Sequence, residues 1–134
     1  MNKSNTKLSI VIPCFNEENF IRDLLHELLK EVNPYEIIIV DDFSSDNSIE
    51  KINSIKDQRI KIVKNSQNFG KGYSIIQGFK NASEDIILVQ DADPEYSPKD
   101  INFLISPFFD ADADFVIGTR FQTKYRRKIG YFYH

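Results

Sequence analysis

The chain has 134 residues, of which 41% are hydrophobic and 28% are charged, and its formal net charge is -3. This composition is that of one globular domain with a buried core, and the charge excludes a protein that collects nucleic acid through a general positive field. The basic side chains cluster once, at Lys124, Arg126, Arg127 and Lys128. Such a run is usually solvated surface, and contact with an anionic lipid or phosphate is the alternative.

Cysteine usage and the terminal sequence bear on the compartment. Cys14 is the single cysteine, so the chain forms no internal disulfide, and a reducing compartment fits best. Residues 1–7 lack the apolar stretch of a signal peptide, and apolar runs such as residues 37–40 are too short to span a bilayer. We therefore expect a cytoplasmic protein, placed at the cytoplasmic face of a membrane only through a longer parent chain or an acceptor lipid.

Short β-branched runs alternate with helical patterns along the chain. The runs that predict strands lie at residues 8–12, 36–40, 60–63, 85–90 and 115–117. The first helix is predicted to begin at an Asn16 cap. The apolar stripe of that helix comprises Phe20, Ile21, Leu24, Leu25, Leu28 and Val32.

Three further helices follow in the sequence. The second is short and is marked by Ile49, Ile52 and Ile55. The third follows a polar loop at residues 65–72 and is expected to bury Ile75, Ile76 and Phe79. The fourth starts at Ser97 as N-cap with Pro98 in the first helical position, and its predicted stripe comprises Ile101, Leu104, Ile105 and Phe108.

Strands that are apolar on both faces and alternate with helices predict an α/β fold with a mainly parallel sheet covered by helices on both faces. Crossovers in such a sheet are right-handed, and ligands bind beyond the carboxyl ends of the strands. Every polar cluster of this sequence falls at such an end. The sequence therefore predicts a binding site at the carboxyl edge of the sheet.

The first cluster is Asp91-Ala92-Asp93, with Glu95 two residues further on. Carboxylates two residues apart in an extended segment project to the same side, and they repel one another unless a cation or a donor-rich ligand lies between them. Oxygen ligands of this kind suit Mg²⁺ or Mn²⁺ bridging to phosphates. The alternative is a solvated acidic turn before the helix that Ser97 caps.

The second cluster is Asp41-Asp42 at the end of the second predicted strand. A carboxylate at this position could accept hydrogen bonds from a ribose or from a base edge. An Asx-turn that starts the next helix explains the pair equally well, and Asp46 and Ser48 could serve the same purpose. The cluster alone leaves both interpretations open.

The third cluster reads Asn68-Phe69-Gly70-Lys71-Gly72. Glycine permits close approach of the backbone to a ligand, and Lys71 could meet a phosphate. The spacing is neither that of a P-loop nor that of a dinucleotide-binding fingerprint, and a plain loop and helix cap is the alternative. Cys14 and His26 have no second cysteine or histidine nearby, which argues against a zinc site.

Taken together, these segments resemble family 2 glycosyltransferases. Residues 9–18 read SIVIPCFNEE and resemble the family's opening motif, and residues 36–46 read EIIIVDDFSSD and resemble its second motif. Residues 68–72 match an N-x-G-K-G loop, and residues 91–93 stand where the family has D-x-D. FVIGTRF, at residues 115–121, resembles a strand of the dolichol-phosphate mannosyltransferase-like branch. The resemblance runs from about Leu8 to His134.

The resemblance implies a GT-A fold, a Rossmann-like sandwich, forming a single nucleotide-sugar-binding domain over residues 1–134. It also implies a binding site for a UDP- or GDP-linked sugar that uses Mg²⁺ or Mn²⁺. The implied donor-binding residues are Pro13, Phe15, Glu17, Val40, Asp42, Gly70, Lys71, Asp91, Ala92 and Arg120. The implied metal ligands are Asp91, Asp93 and Glu95.

The sequence departs from the family pattern at three places. Glu95 stands where the mannosyltransferase branch often has glutamine, which weakens an assignment to GDP-mannose. Phe43 replaces a common glycine, so that the turn is expected to differ in shape. The chain ends at His134, and the acceptor-binding part and the catalytic base are expected beyond that residue.

The resemblance implies the donor-binding part of a metal-dependent inverting glycosyltransferase whose acceptor is a polyprenyl phosphate or another glycan acceptor. Two other doubly wound classes, phosphoacceptor signalling modules and D-x-D-x-T phosphatases, require acidic residues directly after strand one, where this chain has Pro13-Cys14-Phe15. The remaining alternative is a non-catalytic module that binds a nucleotide sugar or a partner chain. An exposed sheet edge would also favour homo-oligomers.

Overall fold

The computed structural model describes residues 6–118. The strands are β1 (Thr6–Cys14), β2 (Pro34–Asp41), β3 (Ile60–Lys64) and β4 (Ile86–Val89), and the helices are α1 (Ile21–Glu31), α2 (Ser48–Asn53), α3 (Lys71–Asn81) and α4 (Ile101–Asp110). A 3-10 turn, Pro98–Asp100, leads into α4, and Ser97 Oγ accepts a hydrogen bond from Lys99 N, as expected for the predicted cap. The other predicted elements are found within a few residues, except the fifth strand.

The chain divides into two compact units, Met1–Phe103 and Leu104–His134. The sheet and all of its connecting helices belong to the first unit. The expectation of a single domain over residues 1–134 stays a prediction. Between residues 6 and 118, no helix has the length and apolar character needed to cross a membrane.

The four strands form one parallel sheet in the order β3-β2-β1-β4. Two crossovers, through α1 and α2, advance in one direction across the sheet, and the crossover through α3 returns in the other. Right-handed crossovers therefore place α1 and α2 on one face and α3 on the opposite face. The parallel sheet with helices on both faces is confirmed, and the strand order reverses between β1 and β4.

The core is centred on β1 and β2. Leu8, Ile10 and Ile12 point to one face of β1 and Ser9 and Val11 to the other, and all five are fully buried. Burial on both faces explains why the central strands read as continuous apolar runs. The edge strand β4 instead alternates, and its Ile87 and Val89 are exposed.

Helix α1 buries the predicted stripe but begins later than expected. Ile21, Leu24, Leu25, Leu28 and Val32 are buried, whereas Phe20 is exposed. Phe20 occupies the N-cap position, and no side chain caps the helix. The prediction that Asn16 caps α1 is therefore wrong, because the side chain of that residue is engaged elsewhere.

Helix α3 buries a different face from the one predicted. Its buried residues are Ser74 and Gly78, whereas Ile76 is 52% exposed and Phe79 is 47% exposed. The reason is a close approach to β1, because a Cβ built on Gly78 would lie 2.2 Å from Val11 Cγ1. Only small residues fit between this helix and the sheet, and the apolar pattern could not show that.

The predicted strand at residues 115–117 is wrong. Residues 111–118 belong to no helix or strand, and Phe115 is 73% exposed. A strand is held by ladder hydrogen bonds to a neighbour. Within the described residues, the edge strands β3 and β4 pair only with β2 and β1.

Glu36 ties four segments together at the amino edge of the sheet. Its buried carboxylate accepts hydrogen bonds from Ser9 Oγ at 2.6 Å, from Ser83 N at 2.7 Å and from Lys61 Nζ at 2.5 Å. Burial alone would raise the pKa of Glu36, but these donors outweigh it and lower the pKa from 4.5 to about 2. The charged carboxylate of Glu36 therefore links β1, β2, β3 and the residues before β4 to one another.

Glu36→Gln should lower the stability of the fold at neutral pH by about 1–3 kcal/mol, since charged hydrogen bonds to buried groups are lost. In the wild type, the pKa of Glu36 is lower in the folded state than in the unfolded state. Its contribution is therefore present above pH 4.5 and is lost as the pH falls toward about 2. Urea unfolding between pH 2 and pH 7 should show a flatter profile for the variant, and parallel profiles would contradict the assignment.

Two glycines of α3 provide a matched pair of alanine substitutions. Gly78→Ala should destabilise the fold by about 1–3 kcal/mol, because its new Cβ overlaps Val11 and forces the helix outward. Gly72→Ala should stabilise it by about 0.5–1 kcal/mol, because nothing lies within 4 Å of the new Cβ and alanine favours the helix. The denaturant midpoint of each variant measures its change in stability. Changes of the same sign in the two variants would contradict the packing described for α3.

Candidate functional site

A cavity of about 450 Å³ opens at the carboxyl edge of the sheet, where β1 and β4 lie side by side. The reversal of strand order at this point leaves a crevice between the loops that follow the two strands. The cavity is lined by Pro13, Cys14, Phe15, Glu17, Asp42, Asn68, Gly70, Lys71, Ser74, Asp91, Ala92 and Asp93. A volume of this size is typical of small-molecule sites.

Asn16 joins the loop after β1 to the loop after β2. Its Oδ1 accepts hydrogen bonds from Ser45 N at 2.8 Å and from Asp46 N at 3.3 Å, and its own N–H donates to Ser44 Oγ at 3.0 Å. The backbone of Asn16 is left-handed, with φ at 51°. The side chain that was expected to cap α1 therefore binds backbone groups about thirty residues away.

The bonds between these two loops run in both directions. Glu17 N donates to Ser48 Oγ at 2.9 Å, and Glu18 N donates to Asp46 Oδ2 at 3.2 Å. In return, Asn47 N donates to a carboxylate oxygen of Glu18 at 3.0 Å. We call residues 15–18 and 44–48 the paired loops, and they hold the cavity residues that follow β1.

Phe43, directly before the second of the paired loops, has φ at 66° and an exposed ring. This is the left-handed backbone region that favours glycine. The chain thus keeps a glycine-like backbone at this turn although the side chain is phenylalanine. Ser44 N closes the turn by donating to Asp41 Oδ2 at 3.3 Å.

Asp42 organises the loop before α3. Its carboxylate is 4% exposed, and it accepts hydrogen bonds from Asn65 Nδ2, Phe69 N and Gly70 N, each at 2.8 Å. Burial alone would raise the pKa of Asp42, but these three donors outweigh it and lower the pKa. Asp42 is therefore a buried, charged acceptor at the wall of the cavity.

Lys71 is the first residue of α3, and its Nζ lies 2.6 Å from Asp91 Oδ1. Among residues 6–118, it is the single cationic side chain that lines the cavity, against the carboxylates of Glu17, Asp42, Asp91 and Asp93. Burial, followed by the nearby Asp93, Asp46 and Asp91, raises the pKa of Glu17. Excess negative charge of this kind favours a site that receives a cation.

The predicted metal ligands are brought together only in part. Asp91 and Asp93 line the cavity, whereas Glu95 is exposed outside the lining, and its N–H donates to Asp93 Oδ1 at 3.1 Å. Among residues 6–118, no three His, Cys, Asp or Glu side chains come close enough to hold a metal by themselves. Two carboxylates still fit a Mg²⁺-type ion, which commonly takes its other ligands from phosphates and water.

Among residues 6–118, Val40 is the one predicted donor-binding residue that does not line the cavity. Val40 is fully buried within β2, so its side chain packs in the core and is not a pocket contact. Arg120 lies outside the described residues, as does the basic run at residues 124–128. His26 is exposed on α1.

Sequence reasoning did not assign roles to three lining residues: Cys14, Asn68 and Ser74. Asn68 opens a recognised motif, and Ser74 lies one helical turn after Gly70, so both carried a positional signal. Burial, followed by the charge of Asp41, raises the pKa of Cys14 to about 12. The thiol therefore stays protonated and is a wall of the cavity rather than a nucleophile.

In a comparison with known families, the family model of glycosyl transferase family 2 matches residues 9–132, which is nearly the whole chain. The undecaprenyl-phosphate 4-deoxy-4-formamido-L-arabinose transferase of Proteus mirabilis (strain HI4320) is 35% identical over 122 residues, covering 85% of this chain and 36% of that protein. The dolichol-phosphate mannosyltransferase of Pyrococcus furiosus is 34% identical over 119 residues, covering 86% of this chain and 33% of that protein.

Solved structures give the same fold. Glucosyl-3-phosphoglycerate synthase from Mycobacterium tuberculosis, in complex with Mn²⁺, UDP-glucose and phosphoglyceric acid, superimposes with a TM-score of 0.64 at 25% identity, covering 81% of this chain and 41% of that chain. The likeness confirms the GT-A fold. The chain spans about a third of the length of the two curated relatives.

Asn16→Ala and Asn16→Gly separate the two demands on this residue. Both variants lose the acceptor for two backbone N–H groups, which should cost about 1 kcal/mol. Alanine must in addition adopt a left-handed backbone conformation, which should lower the stability of the fold by about a further 1–2 kcal/mol. Thermal unfolding should therefore rank wild type above glycine and glycine above alanine, and a glycine variant as stable as the wild type would contradict the role of the side chain.

Proposed function

Because this chain belongs to glycosyl transferase family 2, we propose that it binds a nucleotide-diphospho-sugar in the cavity between β1 and β4. The activity of the whole protein is then transfer of the sugar to an acceptor. One observation supports the proposal most. The residues of four separate family-like motifs line one cavity at the point where the strand order reverses.

The position of each group in the cavity supports the donor role that we propose for it. Phe15 is an exposed aromatic ring at the end of β1, suited to stack on a nucleobase, with Pro13 and Glu17 beside it. Gly70 lines the cavity, and Lys71 places a cationic Nζ at the start of α3, where it suits a diphosphate. Arg120, outside the described residues, is proposed to neutralise further phosphate charge.

A divalent cation, Mg²⁺ or Mn²⁺, fits the charge of the cavity. A nucleoside diphosphate is itself anionic, so it would be repelled by Asp91 and Asp93 without a cation between them. We propose these two carboxylates as the protein ligands, with Glu95 as a further candidate. When bound, the ion would supply a Lewis acid for the leaving diphosphate.

The proposed reaction is an inverting transfer to a polyprenyl phosphate. An oxygen of the acceptor phosphate attacks the anomeric carbon, and the nucleoside diphosphate departs with the electrons of the broken bond. The names of the relatives, which include dolichol-phosphate and undecaprenyl-phosphate transferases, support this acceptor class. Such a lipid would bring the reaction to a membrane surface, at the cytoplasmic face. No cavity carboxylate is assigned as catalytic base, since each is assigned to the donor or the metal.

Calorimetric titration with UDP and with GDP, each with and without Mn²⁺, tests donor binding. One nucleotide should bind, the binding should require Mn²⁺, and Asp93→Asn should weaken it by about tenfold or more, because one of two metal ligands is lost. Glu50→Gln removes an equal charge from the exposed face of α2 and should have no effect. Nucleotide binding that is the same with and without Mn²⁺, and the same in Asp93→Asn as in the wild type, would contradict the proposed metal site.

Transfer needs a second assay, with the matching nucleotide sugar and a short polyprenyl phosphate. Formation of the lipid-linked sugar by this chain would support the hypothesis that it catalyses sugar transfer. Donor binding without transfer would support the alternative, in which these 134 residues bind the donor and do not by themselves catalyse transfer.

A further inference from the structure

We propose that Asn65 and Asp42 form a positioning pair that fixes the segment 69–71 opposite Asp91, ready for the diphosphate of the donor. The inference deepens the proposed function and rests on it for the identity of the ligand. It gives Asp42, besides its place in the cavity lining, a role in holding the main chain of the loop. It also gives a role to Asn65, which lies outside the cavity lining.

The first step is the fixation of Asp42 by Asn65. Asn65 follows β3 directly and is 8% exposed. Its Nδ2 donates to Asp42 Oδ1 at 2.8 Å and to Ser74 Oγ at 3.0 Å, and its backbone N–H donates to Asp41 O at 2.9 Å. The amide group thus uses both of its donor hydrogens within the protein, and it sets one orientation of the Asp42 carboxylate.

The second step is the fixation of the loop by Asp42. Its Oδ1 also accepts from Phe69 N, and its Oδ2 accepts from Gly70 N, both at 2.8 Å. Hydrogen bonds from backbone N–H groups to a buried carboxylate are among the strong ones. Gly70, at the N-cap of α3, has φ at 94°, a conformation that glycine holds without strain. The carboxylate therefore determines where α3 begins.

The third step carries the constraint to the opposite side of the cavity. Lys71 follows Gly70 directly, and its Nζ meets Asp91 Oδ1 at 2.6 Å. A continuous series of contacts thus runs from the end of β3, through the end of β2 and the start of α3, to the end of β4. The diphosphate-binding groups are held in place before a ligand arrives, which lowers the ordering cost of binding.

Two substitutions of nearly equal size test the pair. Asn65→Leu removes both donors and keeps the volume, whereas Asn65→Asp keeps the shape and places a second carboxylate against Asp42. Val32→Ala, a buried truncation near the amino edge of the sheet, serves as the control for loss of stability alone. All three variants are compared with the wild type as the same 134-residue chain.

The first readout needs no ligand. Amide hydrogen exchange by NMR should show protected N–H groups at Phe69 and Gly70 in the wild type. Both Asn65 variants should lose about tenfold or more of this protection, at these two amides in particular. Val32→Ala should leave the ratio of loop to core protection unchanged. Unchanged protection at Phe69 and Gly70 in both Asn65 variants would overturn the proposal.

The second readout compares a nucleoside diphosphate with its monophosphate in the presence of Mn²⁺, using uridine or guanosine nucleotides according to the wild-type preference. The Asn65 variants should weaken diphosphate binding by about 10–100-fold and monophosphate binding by much less, since the base-binding side is intact. Equal weakening of both nucleotides, or a changed base preference, would assign the pair to general stability or to base reading and would overturn the proposal.

The two readouts also separate the two hypotheses. If the wild type binds neither nucleoside diphosphate, the proposed function fails, and the exchange experiment alone decides whether Asn65 and Asp42 fix the loop. If the wild type binds a diphosphate and the Asn65 variants bind it equally well, the proposed function stands and the positioning pair is refuted.

Discussion

The parallel pairing of β1 with both β2 and β4 is the constraint on which the rest of the structure depends. It places β1 at the centre, buried on both faces. It also sends the chain one way across the sheet through α1 and α2 and back through α3, so that the strand order reverses beside β1. The loops after β1 and β4 then diverge, and the cavity between them is a consequence of the strand order.

Buried carboxylates hold both edges of this sheet by the same physical means. Glu36 at the amino edge and Asp42 at the carboxyl edge are each almost fully buried, and each is held charged by donors from several segments. Removing one donor would leave a buried charge poorly compensated, which is costly. The amino-edge carboxylate joins strands, whereas the carboxyl-edge carboxylate joins a strand to the loop that precedes α3 and borders the cavity.

The sequence predicted the parts of the fold that depend on local pattern. The central strands are buried on both faces, so their apolar runs were unambiguous, and the acidic residues after β4 fell where parallel sheets bind ligands. Predictions failed where a distant contact decided the outcome. Asn16 bonds to backbone groups near residue 45 instead of capping α1. Gly78 packs on Val11, so α3 turns its larger apolar residues outward. The side chain of Val40 is fully buried within β2, and its donor-binding role stays a prediction.

The paired loops have a consequence for engineering and for divergence of the family. Residues 15–18 and 44–48 exchange hydrogen bonds in both directions, so neither loop keeps its shape without the other. A chimera that takes only the first loop from a relative would lack the partners in residues 44–48 that hold the backbone of residues 16–18. Loop grafting to change donor preference must therefore transfer the two segments together, and natural substitutions in one should be accompanied by compensating substitutions in the other.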